Sequence, residues 1–357
     1  MRHVAFVIDS EAFGGAEVYA TLLVRHLPAG MHRTVVVSEP LAGPVCTAVG
    51  EAADVVVVPP SRHRPVAPWL SRTLVELAPD VVHVNLVDPG SNRAALMAAA
   101  DVAPTVATLH LTGADGPGPA EAYRRVSCFT APSAATAAQL ARLAPGAPIV
   151  RVRSGVDLPA EGVCLRDRSP VVIGGVGRLT AQKGFDLLIQ AAAELTQEGL
   201  PIRIVVAGRG RDRDVLAHAA EDLPVTFIGH IQDVGALLRD VDVFCLPSRN
   251  EALSLTLLEA MGHGLPCVST AVGDTAAEVG SDALVVPPGD PAALTAALRR
   301  LVADAGARLE LGRRARARAL AAFDARRMAA DTFAVLRRTA AARRPSPGPG
   351  ERSVASR

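Results

Sequence analysis

One lysine stands apart from the other basic residues of this chain. Of 37 lysine and arginine residues only Lys183 is a lysine, and it follows Arg178 closely in the segment 177–184. An ammonium group on a flexible stem serves phosphate oxygens as a point charge, whereas arginine brings a rigid planar fork. Arg178 and Lys183, at the start of a predicted helix, therefore predict a clamp for a diphosphate. The alternative is a surface lysine that survives by chance.

Two glutamates flank the start of another predicted helix. Glu251 ends the loop after a buried strand, and Glu259, separated from it by seven residues, is predicted about two turns into the helix. The amides at this helix N-terminus belong to Leu253, Ser254, Leu255 and Thr256. Unpaired amides and the helix dipole suit phosphate oxygens, while Glu251 could hold sugar hydroxyls and Glu259 ribose hydroxyls. The alternative is a solvated loop residue and a surface helix residue.

Short apolar runs alternate with helical stretches twice along the chain. The first series of predicted strands is Val4–Ile8, Val35–Val37, Val55–Val58, Val81–Val84, Thr105–Leu109, Phe129–Ala131 and Ile149–Val152. The second series is Val171–Gly174, Ile202–Val206, Val225–Ile228, Val243–Leu246, Cys267–Thr270 and Leu284–Val286. Predicted helices include Ala16–His26, Ala120–Arg125, Phe185–Glu198, Ala236–Arg239, Leu255–Met261 and Pro291–Ala305. This alternation predicts an α/β fold of two Rossmann-like, doubly wound parallel-sheet domains that face a cleft.

Composition narrows the classes of function. A net charge of +1 argues against nucleic acid as a partner. The sequence has no run of 18 apolar residues, so no membrane span is predicted. The stretch before the first predicted strand is too short for a signal peptide. The five cysteines are odd in number and widely spread along the chain. Together these features predict a cytoplasmic protein with reduced cysteines. The loop Pro59–Pro65, near Trp69, is either a solvated loop or a contact for an acidic or lipid-linked acceptor at the inner face of the membrane.

Two other motifs are set aside. Asp212 and Asp214 have the spacing of a metal-chelating pair, but they lie at the start of an Arg-rich helix where the dipole alone favours acids. We therefore predict no metal and no cofactor. Gly175 and Gly177 begin like a dinucleotide fingerprint, but Thr180 stands where its third glycine belongs. A nicotinamide enzyme is thus disfavoured.

With these motifs the chain resembles glycosyltransferase family 4, a retaining group with the GT-B fold. The resemblance runs over nearly the whole chain. It rests on the segments 13–17, 131–133, 155–157, 177–184, 207–210 and 251–259. It implies an acceptor-binding domain at 1–160, a nucleotide-sugar-binding domain at 165–320, and a helix at 323–340 that crosses back to the first domain. The residues 342–357, rich in Arg, Pro, Gly and Ser, are predicted to form a disordered tail.

The resemblance also implies roles for individual residues. Arg178 and Lys183 would neutralise the donor diphosphate, Glu259 would hold the ribose, and Glu251 the donor sugar. Gly14, Gly15 and Gly208 would let the backbone approach the donor. His110 matches a histidine often found near the reacting centre, although a histidine that ends a buried strand is often only a hydrogen-bonded core residue. Asn85 stands where a second histidine often follows His83.

Together with the residues above, the resemblance implies a metal-independent retaining glycosyltransferase. The donor would be a UDP- or GDP-linked sugar, and the acceptor hydroxyl, which the sequence does not identify, would belong to glycan, glycolipid or natural-product biosynthesis. The alternative from another class is a non-catalytic GT-B subunit that binds a sugar nucleotide. Such a subunit would be expected to lack a glutamate or basic residue of the motif, and none is lacking. An epimerase or phosphorylase on the same fold would need other constellations, which are not found.

Overall fold

The first half of the chain forms a parallel sheet of seven strands. The computed structural model describes residues 1–62, 64, 66–113, 120–163 and 168–342. The strands of this sheet are β1 (His3–Ile8), β2 (His32–Ser38), β3 (Asp54–Val58), β4 (Val81–Leu86), β5 (Thr105–Leu109), β6 (Cys128–Ala131) and β7 (Ile149–Arg151). Their order is β3-β2-β1-β4-β5-β6-β7. Every residue of β4 and β5 is buried, as expected for a sheet covered by helices on both faces.

The second half forms a parallel sheet of six strands. These are β8 (Val171–Val176), β9 (Ile202–Ala207), β10 (Val225–Gly229), β11 (Val243–Leu246), β12 (Cys267–Thr270) and β13 (Leu284–Val286). Their order is β10-β9-β8-β11-β12-β13. The first strand of each sheet thus pairs on one side with the strand that follows it in the chain and on the other with a later strand. This is the topological switch point at which open α/β sheets bind ligands, beyond the carboxyl ends of the strands.

Fourteen α-helices connect and cover the strands in the described part of the chain. In the first half they are α1 (Gly15–His26), α2 (Ala42–Val49), α3 (Pro68–Leu77), α4 (Arg93–Val102), α5 (Ala120–Arg124) and α6 (Ala134–Leu143). In the second half they are α7 (Phe185–Gln197), α8 (Arg213–Ala219), α9 (Val234–Asp240), α10 (Leu255–His263), α11 (Thr275–Val279), α12 (Pro291–Ala303), α13 (Ala305–Ala322) and α14 (Ala325–Ala342).

The prediction of two doubly wound parallel sheets is confirmed. All thirteen predicted strands are present, with differences only at their ends. The helix predicted to extend to Ala305 instead ends at Ala303, because the Asp304 carboxylate accepts a hydrogen bond from the amide of Ala307, at 2.9 Å, and caps a new helix, α13. Of the five cysteines, Cys128, Cys245 and Cys267 are buried free thiols and Cys46 is exposed and free. Cys164 and residues 343–357 of the predicted tail lie outside the described residues.

The chain divides into two compact units whose boundaries differ from those drawn on the sequence. The first unit contains residues 1–131, 137–152 and α14 from Ala329 onward, and the second contains residues 132–136 and 153–328. Residues 153–160 therefore pack with the second unit. There Val156 pairs in parallel with Asp324, and a Cβ at Gly155 would lie 2.5 Å from the carbonyl oxygen of Asp324. Glycine at this position permits the close approach of the two segments.

Candidate functional site

The topology of the second unit brings the predicted diphosphate clamp and the first glutamate together. Arg178 and Lys183 lie in the loop after β8, and Glu251 lies in the loop after β11. β8 and β11 are neighbours in the sheet, with Val243 paired to Ile173 and Phe244 to Gly174. The carboxyl ends of both strands therefore place their loops side by side at the switch point of this sheet.

Lys183 and Glu251 are in direct contact. The Nζ atom of Lys183 donates to Oε1 of Glu251, and Ser248 Oγ donates to the same oxygen at 3.1 Å. Both side chains are largely buried, with 14% of Lys183 and 10% of Glu251 exposed. The lysine stem lies against Gly177, where a Cβ would stand 3.2 Å from Lys183 Cδ. This pair was not anticipated, because the sequence analysis assigned the lysine to a phosphate and the glutamate to a sugar.

Arg178 reaches the same loops through an intermediate residue. Its side chain is exposed, and its Nη2 atom donates to Oε1 of Gln182 at 3.2 Å. An exposed guanidinium held by one neutral amide can turn toward an anion with little loss of hydrogen bonding. The arrangement is compatible with the predicted clamp.

Gly208 follows β9 and fits tightly against the β8 loop. Its φ of +151° is a conformation that other residues rarely adopt, and a Cβ there would lie 1.8 Å from the carbonyl oxygen of Gly177. Its amide donates to the carbonyl of Gly229 at 2.7 Å. Glycine at 208 is thus explained by packing, and a contact of Gly208 with a donor stays a prediction.

The N-terminus of α10 is not capped by a side chain. Ser254 is the N-cap residue, yet among the described residues its side chain makes no capping bond, and its hydroxyl instead shares a hydrogen bond of 3.0 Å with Thr256 Oγ1. Leu253 and Ser254 are buried, and Leu255 and Thr256 are partly exposed. First-turn amides without a side-chain cap, at the positive end of the helix dipole, can bind an anion by donating hydrogen bonds to it.

Glu259 lies nearer to the helix start than predicted. It is the fifth residue of α10, about one turn into the helix rather than two, because the helix begins at Leu255. Its Oε2 atom is buried and has no hydrogen-bond partner among the described residues. Burial, and to a smaller extent the neighbouring Asp157, raise the pKa of Glu259 to about 7. A buried carboxylate oxygen without a donor is suited to accept hydroxyl groups.

This raised pKa makes stability depend on pH. A carboxyl group whose pKa rises from 4.5 to about 7 on folding contributes stability that is fully present below pH 4.5 and is lost as the pH rises through 7. We expect Glu259→Gln to match the wild type near pH 4.5. Above pH 8 the variant should be more stable than the wild type by at most about 3 kcal/mol, and solvent screening reduces this difference. Thermal unfolding of both proteins across this range checks the prediction, and parallel profiles would contradict it.

In the first unit, the predicted glycines start a helix. Gly14 is the N-cap of α1, and its amide donates to Oε2 of Glu17 at 2.9 Å. Gly15 is the first residue of the helix, and a Cβ there would have no described atom within 4 Å. The backbone at Gly15 is therefore open on that side, which is the property the prediction of close approach requires.

His110 is held by a residue that the sequence analysis did not select. Its Nε2 atom lies 2.6 Å from Oδ1 of Asn85, and its ring packs edge-on against Tyr19. Burial, and to a smaller extent the neighbouring His83, lower the pKa of His110 to about 3, so the ring is neutral at physiological pH. Because an amide oxygen only accepts, it keeps the proton on Nε2 and leaves Nδ1 as an acceptor. The hydrogen-bonded core role is observed, and a role in catalysis stays a prediction.

The Asp212–Asp214 motif lies at the start of a helix, as predicted. Asp212 is the N-cap residue of α8, and its Oδ1 atom lies 3.6 Å from Nε of Arg211. Within the described ranges, no group of three His, Cys, Asp or Glu side chains could hold a metal ion.

At the loop predicted as a possible acceptor contact, Trp69 Nε1 donates to the carbonyl of Pro59 at 3.0 Å, and the Arg64 guanidinium lies 5.1 Å from the Trp69 ring centroid. His63 and Pro65 of that loop lie outside the described residues. No helix in the described part is both long and apolar enough to cross a membrane.

Family models match both halves of the chain. Residues 13–159 match the model described as Glycosyltransferase Family 4, and residues 170–304 match the model described as Glycosyl transferases group 1. A D-inositol 3-phosphate glycosyltransferase of Corynebacterium urealyticum is 32% identical over 49% of this chain and 45% of that protein. A GDP-mannose-dependent α-(1-6)-phosphatidylinositol dimannoside mannosyltransferase of Mycobacterium tuberculosis is 32% identical over 43% of each chain. The chain thus matches less than half the length of these relatives.

Solved structures resemble the chain over almost its whole length. HepE of Anabaena, solved with UDP and glucose, aligns with a TM-score of 0.77 at 18% identity, over 94% of this chain and 99% of HepE. The sucrose-phosphate synthase of Thermosynechococcus elongatus aligns with a TM-score of 0.77 at 17% identity, over 96% of this chain and 100% of that chain. At such identities the likeness establishes the GT-B fold. With this fold and with both halves matched by glycosyltransferase models, the chain belongs to glycosyltransferase family 4.

Proposed function

We propose that the protein is a retaining glycosyltransferase that moves a sugar from a nucleoside-diphosphate sugar to an acceptor hydroxyl. The observation that carries the proposal is the pairing of Lys183 with Glu251 at the switch point of the second sheet. In this proposal Lys183 would meet the phosphate and Glu251 the sugar hydroxyls, on either side of the bond between sugar and diphosphate. The α10 N-terminus, which follows Glu251 in the chain, adds backbone donors for the diphosphate.

The chemistry would be chiefly electrostatic. As the bond between the sugar and the diphosphate breaks, negative charge grows on the leaving phosphate, and Arg178, Lys183 and the α10 amides would stabilise it. Glu251 would orient the sugar through its hydroxyls, and Glu259 would hold the ribose. Retention would follow from attack on the face that the diphosphate leaves, with the leaving phosphate accepting the proton of the acceptor hydroxyl. No nucleophilic carboxylate is needed in this scheme.

The donor is proposed to carry UDP or GDP. The structural neighbour HepE was solved with UDP, and a relative is named for its dependence on GDP-mannose, so both bases have support among similar proteins. Thermal unfolding with a panel of UDP and GDP sugars should give a stabilised complex with one base. Incubation with that donor should then release the diphosphate, slowly to water and faster with an acceptor, while NMR of the product reports the anomeric configuration. A protein that binds the donor but never releases the diphosphate would instead be a non-catalytic subunit.

We also propose that the reaction does not require a metal ion. The cations Arg178 and Lys183 and the α10 amides could together meet the charge of the diphosphate. Addition of a chelator should therefore leave turnover unchanged within about twofold, and Asp212→Ala and Asp214→Ala should stay active. A divalent-ion requirement, with either aspartate variant inactive, would show that the Asp212–Asp214 motif binds a catalytic metal.

A further inference from the structure

Two loops of the second unit are joined by bonds that extend beyond the Lys183–Glu251 pair. One is the segment 180–184 that carries Lys183, and the other is the segment 247–251 that carries Glu251. The amide of Arg249 donates to the carbonyl of Gln182 at 2.7 Å, and a Cβ at Gly184 would lie 2.0 Å from the carbonyl oxygen of Pro247. Backbone therefore meets backbone at both ends of the contact.

Arg249 adds a side-chain clamp on the outer side of the same contact. Its guanidinium donates to both carboxylate oxygens of Asp186, each at 2.6 Å, and also to the carbonyl of Ala181 at 3.1 Å. Asp186 lies in the first turn of α7, directly after the Lys183 loop. These bonds hold the pKa of Asp186 below its usual value. The Arg249 guanidinium thus connects the loop that carries Glu251 to α7, the helix that follows Lys183.

Gln182 connects the third charged residue to this arrangement. Its side-chain Nε2 donates to the carbonyl of Asn250 at 2.8 Å, while its Oε1 accepts from Arg178. The side-chain amide of Gln182 thereby links the Arg178 guanidinium to Asn250, the residue that precedes Glu251. Arg178, Lys183 and Glu251 are all positioned relative to one another through the same two loops.

We propose that Gln182, Arg249 and Asp186 are positioning residues that hold Arg178, Lys183 and Glu251 in register for a nucleoside diphosphate. We call these three residues the brace. The inference deepens the proposed function and rests on it, because the ligand is the diphosphate of the proposed donor. The brace residues act through the charged groups that would touch the substrate, and misplacing such groups by about 1 Å can lower activity about a hundredfold.

Stability alone does not account for the brace. Arg249 and Asp186 are 37% and 43% exposed, and ion pairs at such exposed positions contribute little to folding. The same unit contains a matched pair elsewhere. Arg299 donates to both oxygens of Glu198, at 2.7 and 2.5 Å, with 41% and 39% exposure, and it joins α12 to the residue after α7. This pair supplies a control with the same chemistry and no link to the two loops.

The deciding variant is Asp186→Asn, with Glu198→Gln as its control. Removing a negative charge near a phosphate site should tighten anion binding if charge alone matters. If the brace positions the clamp, Asp186→Asn should instead weaken UDP or GDP binding about tenfold, while Glu198→Gln should stay within twofold of the wild type. Calorimetry measures the affinities, and thermal unfolding should give similar, small shifts for both variants. Equal or tighter binding by Asp186→Asn would overturn the proposal.

A double-mutant cycle tests whether the effect passes through the lysine. Arg249→Ala and Lys183→Ala should each weaken nucleotide binding, but their combination should weaken it hardly more than Lys183→Ala alone, because the brace then has less to position. Strictly additive losses would mean that Arg249 acts independently of the lysine, and the proposal would fall. If the wild type binds neither UDP nor GDP, the proposed function itself is wrong. If it binds and the cycle is additive, only the brace is wrong.

Discussion

Replacing Lys183 by alanine is expected to lower turnover by about 10²–10³, the scale for losing one electrostatic stabiliser of a transition state. The lysine is the only one in the chain, and its Nζ atom lies between the β8 and β11 loops in contact with Glu251. Lys183→Arg should also be impaired, since the stem packs against Gly177 and a planar fork cannot replace a compact ammonium there. Steady-state kinetics with the donor identified by thermal unfolding measures both effects.

A control separates this loss from a folding defect. Lys183→Ala leaves the largely buried carboxylate of Glu251 without its cation, which by itself destabilises the protein. The double variant Lys183→Ala/Glu251→Ala removes both charges, so it should recover thermal stability but not activity. Full activity in Lys183→Arg would show that the position needs only a positive charge and not the compact geometry of an ammonium group.

The two glutamates are expected to fail in different ways. Glu259→Ala should weaken the binding of the nucleoside diphosphate itself by at least about tenfold, because the ribose hydroxyls lose a buried carboxylate acceptor. Glu251→Ala should leave nucleoside diphosphate binding intact or tighter, since Lys183 is then released from its ion pair. That variant should instead lose the additional affinity that the wild type has for the sugar-bearing donor.

Calorimetry with the diphosphate and the full donor on both variants distinguishes the two roles. Glu194→Ala is a suitable control, because Glu194 lies within α7 on a helix that carries neither predicted glutamate. Identical binding profiles for Glu251→Ala and Glu259→Ala would refute the assignment of sugar to one and ribose to the other.

The elements of this fold were accessible from the sequence because their signals are local. Runs such as Val35–Val37 and Val243–Leu246 are apolar, short and bounded by turns, and each lies in a strand of the predicted series. The placement of Glu251 after a strand and Glu259 within a helix followed from the same local patterns. The start of α10 at Leu255 was predicted correctly, but the depth of Glu259 was overestimated, because four residues beyond Leu255 span only about one turn.

The contacts of the site were not accessible in this way. Lys183 and Glu251 are 68 positions apart, and Asn85 and His110 are 25 apart, so no window of sequence contains both partners. Their meeting depends on which strands are neighbours in the sheet, and pattern alone does not specify that β8 pairs with β11. The role of Arg249 was likewise hidden, since an arginine in a loop has no distinguishing mark until its carboxylate partner is known.

The pairing of Val156 with Asp324 has a consequence for protein engineering. Hybrids of related enzymes are commonly made by joining the front half of one to the back half of another, and residue 165 would be a natural junction from the sequence alone. Such a junction would take Val156 from one parent and Asp324 from the other, at a site where Gly155 leaves no room for mismatch. A chimera joined before residue 153 and again after residue 328 would keep both partners of the bridge from the same parent.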